Sequence, residues 1–444
     1  MLIGINQHSP ETEKATGRTR MQKKWYRLDT AALIFPAITR RDWSNVFRLS
    51  VTLKENVDPE TLQRAVDDLR PRFPSFFVSL KKGFFWYYLK ESEAGVQVQP
   101  DYAYPLTFMG SAERKRCCLR VFCYRNRIAV ECFHALTDGR GGSVLLASLT
   151  ARYLTLKYGI RIPAGGPVRD PSEMPSPGEL EDSFLKHAAK AAASRREDRA
   201  YQLRGKKEEH GLRHLTTGIL DTKVLLDRAH EAGVSVTSFL AGQMAESIIR
   251  MQASRRELRR QKPVKITIPV DLRRLYGSDT LRNFSLVLNL GVDPRFGAYT
   301  ADELSRCIDH QLRAFATPQY MAGMIAANVR PQKMLLLRLA PVGLKSLVMD
   351  SVYRRKGESG GSINVSNLVT LDLPEEMRRY VERAEFIIGP QRSYPNNCSV
   401  ISYGGKTYIN MIRNIRESEL ERLFFSGLVE KGIPVSIEYH EGRR

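Results

Sequence analysis

Glu131-Cys132-Phe133-His134-Ala135-Leu136-Thr137-Asp138-Gly139-Arg140-Gly141-Gly142 is the stretch whose reading decides the fold. It brings an imidazole to the end of an apolar strand and follows it at once with a glycine-rich loop. Counting back from His134, residues Cys132, Val130 and Ile128 fall on one face of a period-two strand. The imidazole therefore arrives on the inward, mostly apolar side. Beyond the loop, Ser143 to Tyr158 reads as a helix, with Leu145, Leu146, Leu149, Tyr153 and Leu156 near helical spacing and Gly159 at its stop.

Around this stretch the chain has 444 residues, too many for one ordinary core, and two or three domains are expected. A hydrophobic fraction of 42% is globular. No run of eighteen apolar residues occurs, so no transmembrane helix is expected. The apolar start Met1 to Ile5 is too short for a signal peptide, which predicts a cytoplasmic protein. Cysteines at 117, 118, 123, 132, 307 and 398 lack both CxxC zinc spacing and disulfide density, and read as reduced, partly buried thiols. The histidines are scattered with no metal-ligand spacing, so no metal site is expected.

Lys+Arg 69 against Asp+Glu 48 gives a formal charge of +21. Nucleic acid, an anionic membrane surface and a phosphorylated small molecule such as coenzyme A compete as its partner. The charge recurs in patches, at Arg114-Lys115-Arg116, Arg195-Arg196, Arg255-Arg256, Arg259-Arg260 and Arg273-Arg274, each of which alone reads as a solvated face. The run Phe84-Phe85-Trp86-Tyr87-Tyr88 lacks the interleaved Lys, Arg and Gly of a base-stacking platform. It is expected to be packed on both faces, and no specific nucleic acid is expected.

In chain order, residues 1–24 read as a loose arm and 25–160 as an N-terminal lobe. The lobe opens with a strand from Asn45 to Leu53 and a helix begun by Asp58-Pro59. Hairpins follow at 75–89, with its tip at Lys81-Lys82-Gly83, and at 118–133. Residues 161–212 read as a charged crossover, proline-rich at first and helical from Leu180 to His210, and 213–444 as a C-terminal lobe. In that lobe helices are expected at Asp221 to Ala232, Thr237 to Gln252, Met334 to Met349 and Ser418 to Lys431. Strands are expected at 213–220, 265–270, 284–290, 363–368, 385–389, 398–403, 408–412 and 434–439.

His134, three residues, then Asp138-Gly139, ending an apolar strand in mid-chain, resembles the active-site motif of acyltransferases with the chloramphenicol acetyltransferase fold. That family includes alcohol acetyltransferases, plant-type acyltransferases and the condensation domains of peptide synthetases. Many condensation-type members carry a second His directly before the first, where this chain has Phe133, and the late DFGWG string of the plant-type branch is absent. The resemblance implies an α/β fold (an α+β sandwich) of two similar lobes with mostly antiparallel sheets and an active-site tunnel between them. It also implies that His134 is the general base, Asp138 a structural residue braced by Arg273 or Arg274, and Gly139 a turn residue beside the donor. A Pro-x-Asp-x-Arg-like exit at Pro269 to Arg273 and the strand Ile363 to Leu368 resemble the second lobe. Through them Asn283, Ser366 and Asn367 become candidate oxyanion or tunnel groups.

One imidazole can serve such a reaction because its pKa lies near working pH: it takes the acceptor's proton and returns it to the leaving sulfur. The expected activity is transfer of an acyl group, acetyl in the first instance, from coenzyme A as substrate to a small-molecule alcohol or amine, with no bound cofactor. An acyl carrier protein as donor is one alternative. A nonenzymatic basic protein that binds nucleic acid or membrane lipid is another.

Overall fold

The computed structural model describes residues 24–441 apart from 42, 44, 103, 195–196, 210–211, 256–257, 354–356, 358 and 392–393. All but the last residue of the expected arm, with Arg195-Arg196 and Arg256, lie outside the described residues. The first half contributes strands β1 (Trp25–Arg27), β2 (Val46–Leu53), β3 (Val78–Lys82), β4 (Tyr87–Glu91), β5 (Val98–Pro100), β6 (Leu119–Tyr124) and β7 (Arg127–Phe133). The second contributes β8 (His214–Asp221), β9 (Val264–Asp271), β10 (Ser285–Val292), β11 (Ile363–Thr370), β12 (Val381–Ile388), β13 (Asn396–Tyr403), β14 (Lys406–Arg413) and β15 (Ser436–Glu441). Three sheets result, in the orders β1-β4-β3, β12-β2-β7-β6-β5 and β10-β9-β11-β13-β14-β8-β15. Only β5 with β6 and β11 with its two neighbours run parallel, so the α/β, mostly antiparallel fold class is as expected.

Two apolar cores underlie the two larger sheets. In the first, the helix Gly139–Tyr158 lies on β2 and β7, and its continuous burial from Gly141 to Ala151 explains why its apolar residues are not confined to one stripe. Gly159, at φ 66°, ends it in the left-handed conformation that favours glycine. On the other face of β7, Glu131 is buried between Arg48 and Arg120, its cross-strand neighbours, at 3.3 and 3.1 Å. The sheets do not divide where the sequence suggests lobes do, because β12 belongs to the second half and pairs with β2 along its whole length.

Three local expectations are corrected. Among the described residues the segment from Leu180 to His210 is not one helix: short turns at Pro177–Leu180 and Phe184–His187 are followed by mostly irregular backbone. Its backbone is claimed by the second half instead, with Ala189 N–H donating to Ala322 O, Ala193 to Gly323 and Tyr201 to Pro263 at 2.7–3.0 Å. The expected helix Met334 to Met349 breaks at Pro341, leaving Leu335–Leu339 and Val342–Val352. The aromatic run is not packed on both faces, since Phe84 is 71% exposed and Phe85 is exposed beside it. Two helices unassigned from sequence, Ala301–Phe315 and Pro318–Lys333, cover the second core. All six cysteines are free thiols and four are buried.

Candidate active site

His134 sits one residue past β7, where its N–H donates to Asn45 O at 2.8 Å. Asn45 holds that carbonyl from a left-handed conformation (φ 53°), and its side-chain amide donates to Thr39 Oγ1 at 2.9 Å. These bonds fix the turn carrying Phe35, whose ring stacks on the imidazole at 4.5 Å while Phe47 meets it edge-on at 5.4 Å. The partly accessible imidazole is thus clamped in an aromatic pocket, and burial there pulls its pKa below the usual imidazole value. Its own carbonyl, Asp138 and Asn283 oppose that pull without reversing it.

Asn283 determines which nitrogen carries the proton. Its Nδ2 donates to His134 O at 2.9 Å and to Asp29 Oδ2 at 3.1 Å, so both amide hydrogens are taken. Its Oδ1 then faces His134 Nδ1 at 3.0 Å and can only accept, which makes Nδ1 the protonated nitrogen. Nε2 keeps its lone pair and makes no hydrogen bond among the described residues. Asp29 is fully buried, and its carboxyl is pushed up to about 6 by that burial, against the opposing charge of Arg282.

Asp138 points away from the imidazole. It caps the helix Gly139–Tyr158 through Gly141 N–H and accepts Phe284 N–H at 2.8 Å and both guanidinium nitrogens of Arg273 at 3.0 Å. Burial pushes this carboxyl up, but the Arg273 charge and the donated hydrogen bonds outweigh it and hold it below the ordinary carboxylate value. Arg273 also holds Asp271 and the carbonyls of Thr280 and Arg282, whereas Arg274, next on the same helical turn, is exposed. The segment 271–284 is thereby bolted to the motif loop, and Thr137 Oγ1 adds a bond to Leu281 O at 2.6 Å.

The glycines of the motif answer to packing, not to left-handed backbone. A Cβ on Gly141 would collide with Thr137 Oγ1 and Leu281 O, and one on Gly139 would stand 2.7 Å from a Leu368 methyl. That contact puts the end of β11 beside the motif. Ser366 lies two residues before Leu368, on the regular part of β11 ahead of the register shift between Asn367 and Thr370, and its hydroxyl has no hydrogen bond among the described residues. Asn367 faces the other way: its Nδ2 donates to Thr237 Oγ1 at 3.0 Å and its Oδ1 accepts Val369 N–H at 2.8 Å. Sequence reasoning missed Asp29 and Phe35, since neither stands in a pattern that local periodicity marks.

No family model matches the chain, and no curated protein matches it in sequence. Solved structures do. A structure of F. graminearum TRI101 complexed with coenzyme A and T-2 mycotoxin aligns over 94% of this chain and 99% of its own, with a TM-score of 0.63 at 12% identity. Polyketide synthase associated protein 5 from Mycobacterium tuberculosis aligns over 93% and 97%, with a TM-score of 0.59 at 16% identity. The starter condensation domain of rhizomide synthetase RzmA, as a double mutant in complex with C8-CoA and Leu-SNAC, aligns over 92% and 94%, with a TM-score of 0.57 at 13% identity. The chain therefore has the fold shared by coenzyme A-dependent acyltransferases and condensation domains.

Proposed function

We propose that the chain is an acyltransferase that moves an acyl group, acetyl in the simplest case, from coenzyme A to an alcohol or amine by direct attack. The observation that carries the reading is His134: neutral by burial, with Nδ1–H fixed on Asn283 and Nε2 left as an unpartnered base. Likeness over nearly the whole chain to a protein crystallised with coenzyme A supports the choice of donor.

Nε2 removes the acceptor's proton as its oxygen or nitrogen attacks the thioester carbonyl. The tetrahedral oxyanion then collapses, the C–S bond breaks, and the imidazolium returns the proton to the departing thiolate. Asn283 has no amide hydrogen left to donate and Asn367 is held by Thr237 and Val369, so we assign the oxyanion to the Ser366 hydroxyl, the candidate left without a hydrogen bond among the described residues and two positions from the motif-contacting Leu368. Asp138 and Arg273 position the loop without touching the reactants, and Gly139 and Gly141 allow the close approach of β11 and Leu281. Coenzyme A is a substrate here, its phosphates matched to part of the basic excess.

Release of free thiol from acetyl-CoA in the presence of candidate alcohols and amines tests the reading. Full turnover by a folded His134→Ala variant would overturn it. Likeness to a polyketide synthase associated protein supports one further reading, in which the acyl chain arrives on a carrier protein. Comparing free acyl-CoA with loaded carrier separates the two.

A further inference from the structure

The helix Val342–Val352 presents one side to the protein and another to solvent. One side, with Val342 and Lys345 buried, docks on the tip of the β3–β4 hairpin. Val342 N–H donates to Phe84 O at 2.8 Å, and Lys345 Nζ donates to Phe85 O at 2.9 Å while lying 3.5 Å over the Trp86 ring. The other side presents Leu344, Leu347, Val348 and Val352 at helical spacing, all exposed, with Leu347 at 68%. Leu335 (67%) and Leu339 on the preceding turn and Phe84 on the hairpin tip extend the exposed apolar surface. A soluble monomer seldom leaves so many large apolar side chains together in water.

The charges around this surface identify what covers it. Arg330, Lys333 and Arg338 are exposed along the same stretch and Lys82 stands beside Phe84, against Asp350 as the acidic residue of 330–352. Apolar side chains in the middle and cations at the margin match the acyl boundary and phosphates of an anionic bilayer. A face that met another folded protein would not need this excess of one sign. No described helix is long and apolar enough to cross a membrane, so the element would lie in the interface and not span it.

We propose that the helix Val342–Val352, the turn Leu335–Leu339 and the Phe84 hairpin tip form a platform that rests on an anionic lipid surface. The platform touches the site through one contact: the helix packs on the turn Phe35–Ile38, whose Phe35 stacks on His134. A narrow crevice lies between platform and site segment, lined by Leu28, Leu33, Trp86 and Tyr87 on one side and by Val342, Lys345, Ser346 and Met349 of the helix on the other. Docking does not depend on the acyl-transfer reading, because it is measured without turnover.

The test is sedimentation of the full chain with vesicles of phosphatidylcholine, with and without phosphatidylglycerol. Binding is expected to the anionic vesicles. The pair Leu347→Glu and Val348→Glu should weaken it by roughly 10- to 100-fold with an unchanged melting curve. Phe84→Ser should weaken it too, and Lys333→Glu by about fivefold. Failure of the wild-type chain to bind anionic vesicles at low salt would overturn the proposal, as would unweakened binding by the double variant. So would a lipid-free dimer that the double variant splits, since a second copy would then be what covers this face.

Discussion

His134 and His214 are both held against aromatic rings, at 4.5 Å from Phe35 and 6.1 Å from Tyr439, yet the protein uses their nitrogens differently. His214 has a partner on each nitrogen: Nε2 faces the Glu208 carboxylate at 2.9 Å and Nδ1 the Tyr439 hydroxyl at 2.6 Å. A carboxylate only accepts, so Nε2 carries the His214 proton, whereas His134 carries its proton on Nδ1. The difference teaches that a histidine fit for proton transfer is one left half-satisfied. His214 is spent on joining β8 to β15; His134 is oriented through one nitrogen so that the other stays open.

The largest expected effect sharpens that contrast. His134→Ala should lower the rate of thiol release by roughly 10²–10⁴-fold with little change in melting temperature. Arg273→Ala leaves the Asp138 carboxylate buried without its counter-charge and should destabilise the fold by about 3–5 kcal/mol, read by denaturant unfolding. Asn283→Ala frees the imidazole to adopt either tautomer, and a rate loss of at least about 10-fold is expected, bounded above by the roughly 10⁴-fold lost when the group that fixes a catalytic histidine's tautomer is replaced. His214→Ala should cost about 1–3 kcal/mol of stability and leave turnover per folded molecule unchanged; a large rate loss there would break the comparison. The smallest effect is in pH dependence. Because burial lowers the His134 pKa, the base stays neutral to a lower pH, so the rate should hold through neutrality. It should fall only as acid takes the pH through that lowered value, below the usual imidazole range.

Much of this site could be read before its geometry. The apolar strand into His134 and the helix that ends at Gly159 are local, and local patterns carry them, although the helix starts at Gly139 on an Asp138 cap and not at Ser143 as expected. The pairing of Asp138 with Arg273 was legible only as a choice between two adjacent arginines, since period and charge do not say which one of a helical turn points inward. Asp29 and Phe35 were not legible, because what makes them part of the site is contact across the fold. Ala-rich 180–210 failed in the opposite sense: its local helix propensity lost to backbone bonds with Ala322 and Gly323 that no window of sequence contains. The helix Ala301–Phe315, by contrast, carried a readable capping box at Thr300 and Glu303.

The placement of β12 has a consequence for the order in which this protein can be made. β2 pairs with β7, from the same half, and with β12, which ends at Ile388. A ribosome has therefore delivered most of the chain before the outer edge of β2 meets its partner, and until then that edge is open to pairing with other nascent chains. The first half alone should collect as aggregate, and supplying residues 381–388 in trans should rescue it better than cooling does.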